Sequence, residues 1–466
     1  MKKVSRKIGR RVFLGEASCG TVGSVSALSS LLSLRLTGLL SAEEGDSTED
    51  YKALVCVFLA GGNDSFNMLS PVDQGGYSEY ATARGAVALG LDQFNTLNTS
   101  ASDGRMLGLH SAMEEIHSLY SDGNAAFVAN VGTLIEPTTM AGITAESVKL
   151  PLGLYSHSDQ QLHWQSNMPE TRSPGSGWGG RMADLLNDLN AVSGVSMNMS
   201  LAGKNLFQVG ESTSVFTKTP GSIPGISNWN NPLEVQRRDA ITSVIEAEYQ
   251  NIFKRTLMNQ TKGAIASSEE YRIAIEDTAP LTATFDPNNQ LSLQLKDVAE
   301  TIAARENLGK KRQTFFVQIG GWDQHSSLET HPEMLAALSK GIGEFQAAMG
   351  ELGVSDQVTL FTASDFGRTL SPNGGGGSDH AWGGNQIVVG GAVDGGKVYG
   401  DYPSLALGDL LDTGRGRLIP TTAVDEYVAE MALWMGVSRS DLPQVLPNIG
   451  RFWSTWSQGL PLGIMA

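Results

Sequence analysis

The chain is short of cysteine, of cationic side chains and of long apolar runs. Among its 466 residues only Cys19 and Cys56 are cysteine, so a disulfide-stapled scaffold is excluded. Lys and Arg total 33 against 49 Asp and Glu, a formal net charge of −16. Such a surface repels a phosphate backbone, which argues against nucleic acid as a partner. It also means that an anionic substrate needs a locally positive site, most simply a bound cation. No apolar stretch is long and unbroken enough to span a bilayer. Neither a G-x-S-x-G nucleophile elbow nor a P-loop GK[ST] signature occurs. Charged residues make up 18% and hydrophobic residues 41%, a balance that builds a sizeable core and excludes a mostly disordered chain.

What is present begins with a basic start, Lys2, Lys3, Arg6 and Lys7, followed by Gly9-Arg10-Arg11-Val12-Phe13-Leu14. An Ala/Ser/Leu/Gly stretch broken by Arg35 then ends at Leu40-Ser41-Ala42. This order resembles a twin-arginine export signal over residues 1–42 with a small-residue cleavage site. The expected partner is the twin-arginine export machinery and the expected location is periplasmic or extracellular. Cleavage there takes away Cys19, seven basic residues and one acidic residue, leaving Cys56 alone and a net charge of −22. Residues 43–50 read as an acidic linker. Residues 51–466 read as one domain with a helical insertion near 231–306.

The run 53–60 is continuously apolar and stops at Gly61-Gly62, the pattern of a strand buried on both faces. Similar runs predict strands at 125–131, 314–319, 358–362 and 387–389. Helical spacing is read at 109–119, 233–262 and on towards 306, 334–352, 424–435 and 439–445. Strand–helix–strand order of this kind predicts an α/β fold with a largely parallel sheet. In such sheets ligands bind beyond the carboxyl ends of the strands. Three of the strands end in acid-bearing turns: Asn63-Asp64-Ser65, Trp322-Asp323-Gln324-His325, and Ser364-Asp365-Phe366-Gly367-Arg368.

Asp323 and His325, two residues apart, can both reach one cation, and the O/N donor set suits Zn²⁺, Mn²⁺ or a similar ion. Asp379-His380 lies in a glycine-rich loop that permits close backbone approach. Asp64 and Asp365 equally fit turn or helix-capping roles. Taken together the turns point to one shared metal site. Arg368 either holds an anionic group or pairs with Asp365. Ser156, in Tyr155-Ser156-His157-Ser158-Asp159, could attack an ester from a helix N-terminus or simply cap that helix. His110 and His117, seven apart on the same predicted helix, read as structural.

The twin-arginine start, Phe58-Leu59-Ala60-Gly61-Gly62-Asn63-Asp64, Ser156-His157, Gly177-Trp178, Gly321-Trp322-Asp323-Gln324-His325, Ser364-Asp365-Phe366-Gly367-Arg368-Thr369 and Gly377-Ser378-Asp379-His380 resemble the exported bacterial family named domain of unknown function 1501. That family is similar to the alkaline phosphatase and sulfatase superfamily. The resemblance implies a three-layer α/β/α sandwich with a mostly parallel central sheet. It implies metal-dependent hydrolysis of phosphate or sulfate esters, small-molecule or glycan, with one or two divalent ions (Zn, Mn, Mg or Ca). It assigns Asp64, Asp323, His325, Asp365 and His380 as ligands and Ser156, with Ser158 second, as nucleophile; a metal-activated water is the alternative attacker, and Arg368, from its own chemistry, is taken to assist anion binding. The chain departs at Phe366, where the superfamily pattern has His, so that the site either holds a single metal or uses Asp379 or His157 as a substitute ligand. The rival reading is a non-catalytic exported binding or scaffold protein. Trp164, Trp178, Trp322 and Trp382 near the turns raise a third reading, sugar stacking.

Overall fold

The continuous apolar run that follows the linker forms a strand whose eight residues, Lys52–Leu59, are all buried. In this computed structural model, residues 50–226, 229, 231–454 and 459–465 are described. The expected export signal over 1–42 and all but residue 50 of the linker lie outside the described residues. In chain order, β1 (Lys52–Leu59) leads through α1 (Ser65–Met68) to β2 (Leu69–Pro71), α2 (Gln74–Arg84), β3 (Phe94–Ser100) and β4 (Met106–His110). Then come α3 (Glu114–Ser121), β5 (Ala125–Gly132), α4 (His157–Ser166), α5 (Trp178–Leu186), β6 (Asn198–Ser200) and β7 (Val215–Thr217). Helices α6 (Val235–Glu246), α7 (Ile252–Glu276) and α8 (Gln290–Ala303) precede β8 (Arg312–Ile319) and α9 (His331–Glu351). Finally β9 (Val358–Ser364), β10 (Gly384–Val389), β11 (Val398–Tyr399), β12 (Thr422–Ala423) and α10 (Val424–Trp434) complete the principal elements.

Nine strands form one sheet in the order β11-β5-β10-β9-β1-β8-β6-β7, with β12 also on β5. Within it β1 pairs parallel with both β8 and β9, while β10 runs antiparallel to β9 and β5. A separate antiparallel sheet has the order β2-β4-β3. Successive residues of β1 serve opposite cores, as the two-residue period of a strand requires. Val55, Val57 and Leu59 pack with Ile116 of α3, Leu295 of α8 and Ile342 of α9. Leu54, Cys56 and Phe58 pack with Trp164 of α4, Met182 of α5 and Tyr427 of α10. The result is a three-layer α/β/α sandwich with a mostly parallel central sheet. Each fully buried apolar side chain stabilises it by about 1.5–3 kcal/mol. The described residues fall within one compact unit. No helix among the described residues is long and apolar enough to cross a membrane.

Two predicted helices are shorter than their spacing suggests. Leu109 and His110 belong to β4, where Leu109 pairs with Leu69 and Asn95, and α3 starts only at Glu114. Leu107 and Leu109 keep the period of a strand while Met113, Ile116 and Tyr120 begin that of a helix. His110 is therefore a buried strand residue and His117 a helical one. Of the helix predicted at 439–445, only Leu442–Val445 is helical. The four tryptophans near the turns are buried, so their faces pack the interior rather than stand ready for a sugar ring.

Candidate functional site

Register brings the acid-bearing turns to one edge. Leu59 of β1 lies level with Ile319 of β8 and with Ser364 of β9, so three turns start side by side. Because β10 runs against β9, it is the loop before β10 that reaches this edge. β5, antiparallel to β10, ends at the same edge and leads on towards α4. The first turn depends on Gly61 and Gly62, whose φ angles are +123° and +88°. A Cβ on Gly61 would stand 2.4 Å from the Asp323 backbone nitrogen, and one on Gly62 would stand 2.7 Å from the Phe366 ring. Only glycine accepts both the angles and the contacts.

The loop between β9 and β10 is drawn together at its base. Gly367 N–H donates to the Trp382 carbonyl (2.9 Å), Ala381 N–H to that of Gly367 (3.0 Å) and Thr369 N–H to that of Asp379 (2.9 Å). These bonds set Arg368 opposite His380.

Three imidazoles then gather at Asp323. His157, the first residue of α4, donates from Nδ1 to Asp365 Oδ2 at 2.6 Å, because a carboxylate can only accept. Asp365 is itself held by Gln161 Nε2 at 2.9 Å and by Gly61 N–H at 3.1 Å. His157 Nε2 is thereby turned to Asp323 Oδ2, 3.4 Å away. His380 donates from Nδ1 to the Tyr155 carbonyl at 2.8 Å, leaving its Nε2 3.3 Å from Asp323 Oδ1. Tyr155 holds a φ of +132°, a region that side-chain-bearing residues rarely occupy and that marks functional turns. His325 donates from Nδ1 to Asp379 Oδ1 at 3.1 Å, and its Nε2 lies 3.0 Å from Asp323 Oδ1 and 2.8 Å from His380 Nε2. Two lone pairs at that separation require a proton or a cation between them. Phe366 packs its ring against His157 and His380, with centroids 4.8 and 4.6 Å apart.

Burial opposes the charge of Asp323, yet Arg368, His325 and His157 outweigh it and hold its carboxyl below the usual range. Asp379 is likewise held low, its partial burial outweighed by bonds from Asn373, Arg415 and His325. Burial, helped by the charges of His157 and Arg368, pushes His380 down against the pull of the Tyr155 carbonyl and Asp323. Arg368 is fully buried, with Nη2 2.9 Å from Asp323 Oδ1. Its Nε and Nη1 are buried without a hydrogen-bond partner.

Of the residues singled out by sequence, Asp323, His325, Asp365, Arg368 and His380 meet here. Arg368 pairs with Asp323 and not with Asp365. Asp64 is engaged elsewhere, by Arg84 Nη2 at 2.7 Å and Ser378 Oγ at 2.9 Å. Ser156 Oγ lies 3.2 Å from Ser158 Oγ, and no hydrogen bond joins it to the imidazoles. His157, weighed only as a substitute, is central, and its signal in the sequence was its place at the start of a helix beside Ser156. The donor set fits a borderline divalent cation. His157, Asp323 and His380 offer ligand atoms within 4.8 Å of one another. His157 Nε2 is buried and lacks a hydrogen-bond partner, as a nitrogen kept for a cation would.

No curated protein matches the chain. Among solved structures it is similar to PsFucS1 sulfatase from Pseudoalteromonas sp., at 12% identity and a TM-score of 0.35, over 88% of this chain and 72% of that one. It is similar to Ps i-CgsB in complex with k-i-k-neocarrahexaose, at 12% identity and a TM-score of 0.33, over 86% and 78%. It is also similar to a mutant of alkaline phosphatase PafA, at 11% identity and a TM-score of 0.27, over 70% and 64%. The family described as "Protein of unknown function (DUF1501)" matches residues 51–414, a span that contains every residue of the cluster, and the chain belongs to that family.

Proposed function

We propose that the chain is an exported, metal-dependent hydrolase of phosphate or sulfate esters. One observation carries this reading: three imidazoles, each with Nδ1 tied to a fixed acceptor, turn their Nε2 atoms towards one carboxylate beside a buried arginine. A divalent cation bound there supplies Lewis-acid neutralisation of the ester oxygens. His157, Asp323 and His380 hold it, with His325 alongside. Asp365 and the Tyr155 carbonyl fix two of the rings beforehand, so little rearrangement is needed on binding. Arg368, buried against Asp323, adds a fixed positive charge that draws anionic ester oxygens to the site. Water attacks the phosphorus or sulfur atom, since Ser156 Oγ is turned to Ser158, and the bond to the ester oxygen breaks, the alcohol leaving with the proton that His325 takes from the water. His325, the most exposed of the three imidazoles at 41%, accepts the proton.

The test is a screen of phosphate and sulfate monoesters and diesters with added Zn²⁺, Mn²⁺, Mg²⁺ or Ca²⁺. Turnover is expected, and Asp323→Ala should lower it by on the order of 10²-fold or more. A purified chain that holds no divalent metal and folds fully after chelation would end the proposal. A second reading, a binding protein without turnover, draws on Phe366, which stands where the superfamily pattern puts another imidazole. Metal retention with no hydrolysis of any ester in the screen would select it.

A further inference from the structure

We infer that the Arg84 guanidinium takes the place of a second cation, so that this site binds one divalent ion and not two. The inference rests on the metal-centre reading above and concerns Asp64, the residue the superfamily pattern places as a ligand. Asp64 Oδ2 accepts from Arg84 Nη2 at 2.7 Å and from Ser378 Oγ at 2.9 Å. The two charged side chains are 1% and 0% exposed. Arg84 is locked in turn, because Nη1 donates to the carbonyls of Thr369 at 3.0 Å and Leu370 at 3.2 Å. A metal ion at Asp64 would face that fixed positive charge at close range. It would also lack companions. Among the described residues the one group of three or more potential ligands is His157, Asp323 and His380, and Asp64 is not in it. The nearby His331 ring spends its Nε2 on Asn63 Oδ1, 3.2 Å away. Asp64 Oδ1 remains buried without a hydrogen-bond partner, and one oxygen beside a guanidinium is a poor cation site.

The pair does structural work of its own. It ties the turn after β1 to Thr369 and Leu370 after β9 and to Ser378 before β10. Being covalent, the Arg84 charge survives a chelator, so these three segments stay joined when the single ion is withdrawn.

Zinc binding to the full chain decides the matter, measured by equilibrium dialysis with elemental analysis. One equivalent is expected. The double variant Asp64→Asn/Arg84→Met removes both charges together, a change that buried pairs often tolerate. It should keep one equivalent, with a dissociation constant within about threefold of the parent. Two equivalents in the parent overturn the inference while leaving the metal centre standing. So does a folded double variant that has lost its zinc. No zinc in the parent removes the metal-centre reading and the inference with it. Should the double variant fail to fold, the parent stoichiometry alone settles the count.

Discussion

Asp365 influences the cluster without facing its middle. It fixes the tautomer and tilt of His157, and supports of this kind typically carry a factor of 10–100 in metal affinity. Asp365→Ala should therefore weaken zinc binding by roughly 10–100-fold in competition against a chromophoric chelator. An unchanged affinity would show that His157 is oriented by something else. A second buried carboxyl gives a pH signature away from the site. Burial pushes Asp425, in the first turn of α10, up from 3.8 to about 8. Between about pH 4 and pH 8 the folded chain keeps a proton that the unfolded chain has released, so stability falls as pH rises through that window. Asp425→Asn cannot ionise. Its melting temperature should match the parent near the low end of the window and exceed it above the high end, and equal gaps at both ends would remove the assignment. At this scale the sequence was only partly legible. Asp323, His325 and His380 stood out because acids and imidazoles are rare together in glycine-rich turns. His157 was overshadowed by Ser156, because which of two neighbours points inward depends on the Tyr155 backbone angle, which no composition reveals.

At the scale of elements, the long apolar runs read well because a strand buried on both faces has nothing else to show. β1, β5, β8 and β9 were all anticipated within a few residues. The start of α3 was not, since strand and helix periods abut at Met113. Nor was the reversed direction of β10, because short apolar strands look alike whichever way they run. The turn after β1 is the most constrained link between element and site. Gly61→Ala forces a Cβ to within 2.4 Å of the Asp323 nitrogen at a φ of +123°. The backbone angle alone should cost about 1–3 kcal/mol, seen as a lower midpoint in urea, and zinc affinity should fall with it. Gly374→Ala, where a Cβ meets nothing within 4 Å, is the control and should leave both unchanged. Equal behaviour of the two variants would show that the turn yields easily.

For the whole molecule, the acidic balance and the absence of a membrane-length run limited the partners, while the positions of polar turns after strands pointed to an α/β fold. The charge pairs that cross between elements, Asp64 with Arg84 and Asp323 with Arg368, had no sequence signature, because either partner could have been satisfied by water. At this scale we propose that the full chain is exported. Replacing Arg10 and Arg11 by Lys should leave the protein in the cytoplasm on cell fractionation, and undiminished export would refute the twin-arginine expectation. The bonds joining 367–369 to 379–382 also bear on how such chains can diverge. A loop cinched at its base separates length from placement. The tip at Gly374, where a Cβ meets nothing within 4 Å, could carry a longer or bulkier insert, even one shaped for a different substrate, while Gly377, whose Cβ would stand 2.3 Å from the Gln324 carbonyl oxygen, stays and Arg368 and His380 continue to confront each other across the cinch. New specificity could thus be acquired at the rim without disturbing the chemistry beneath it.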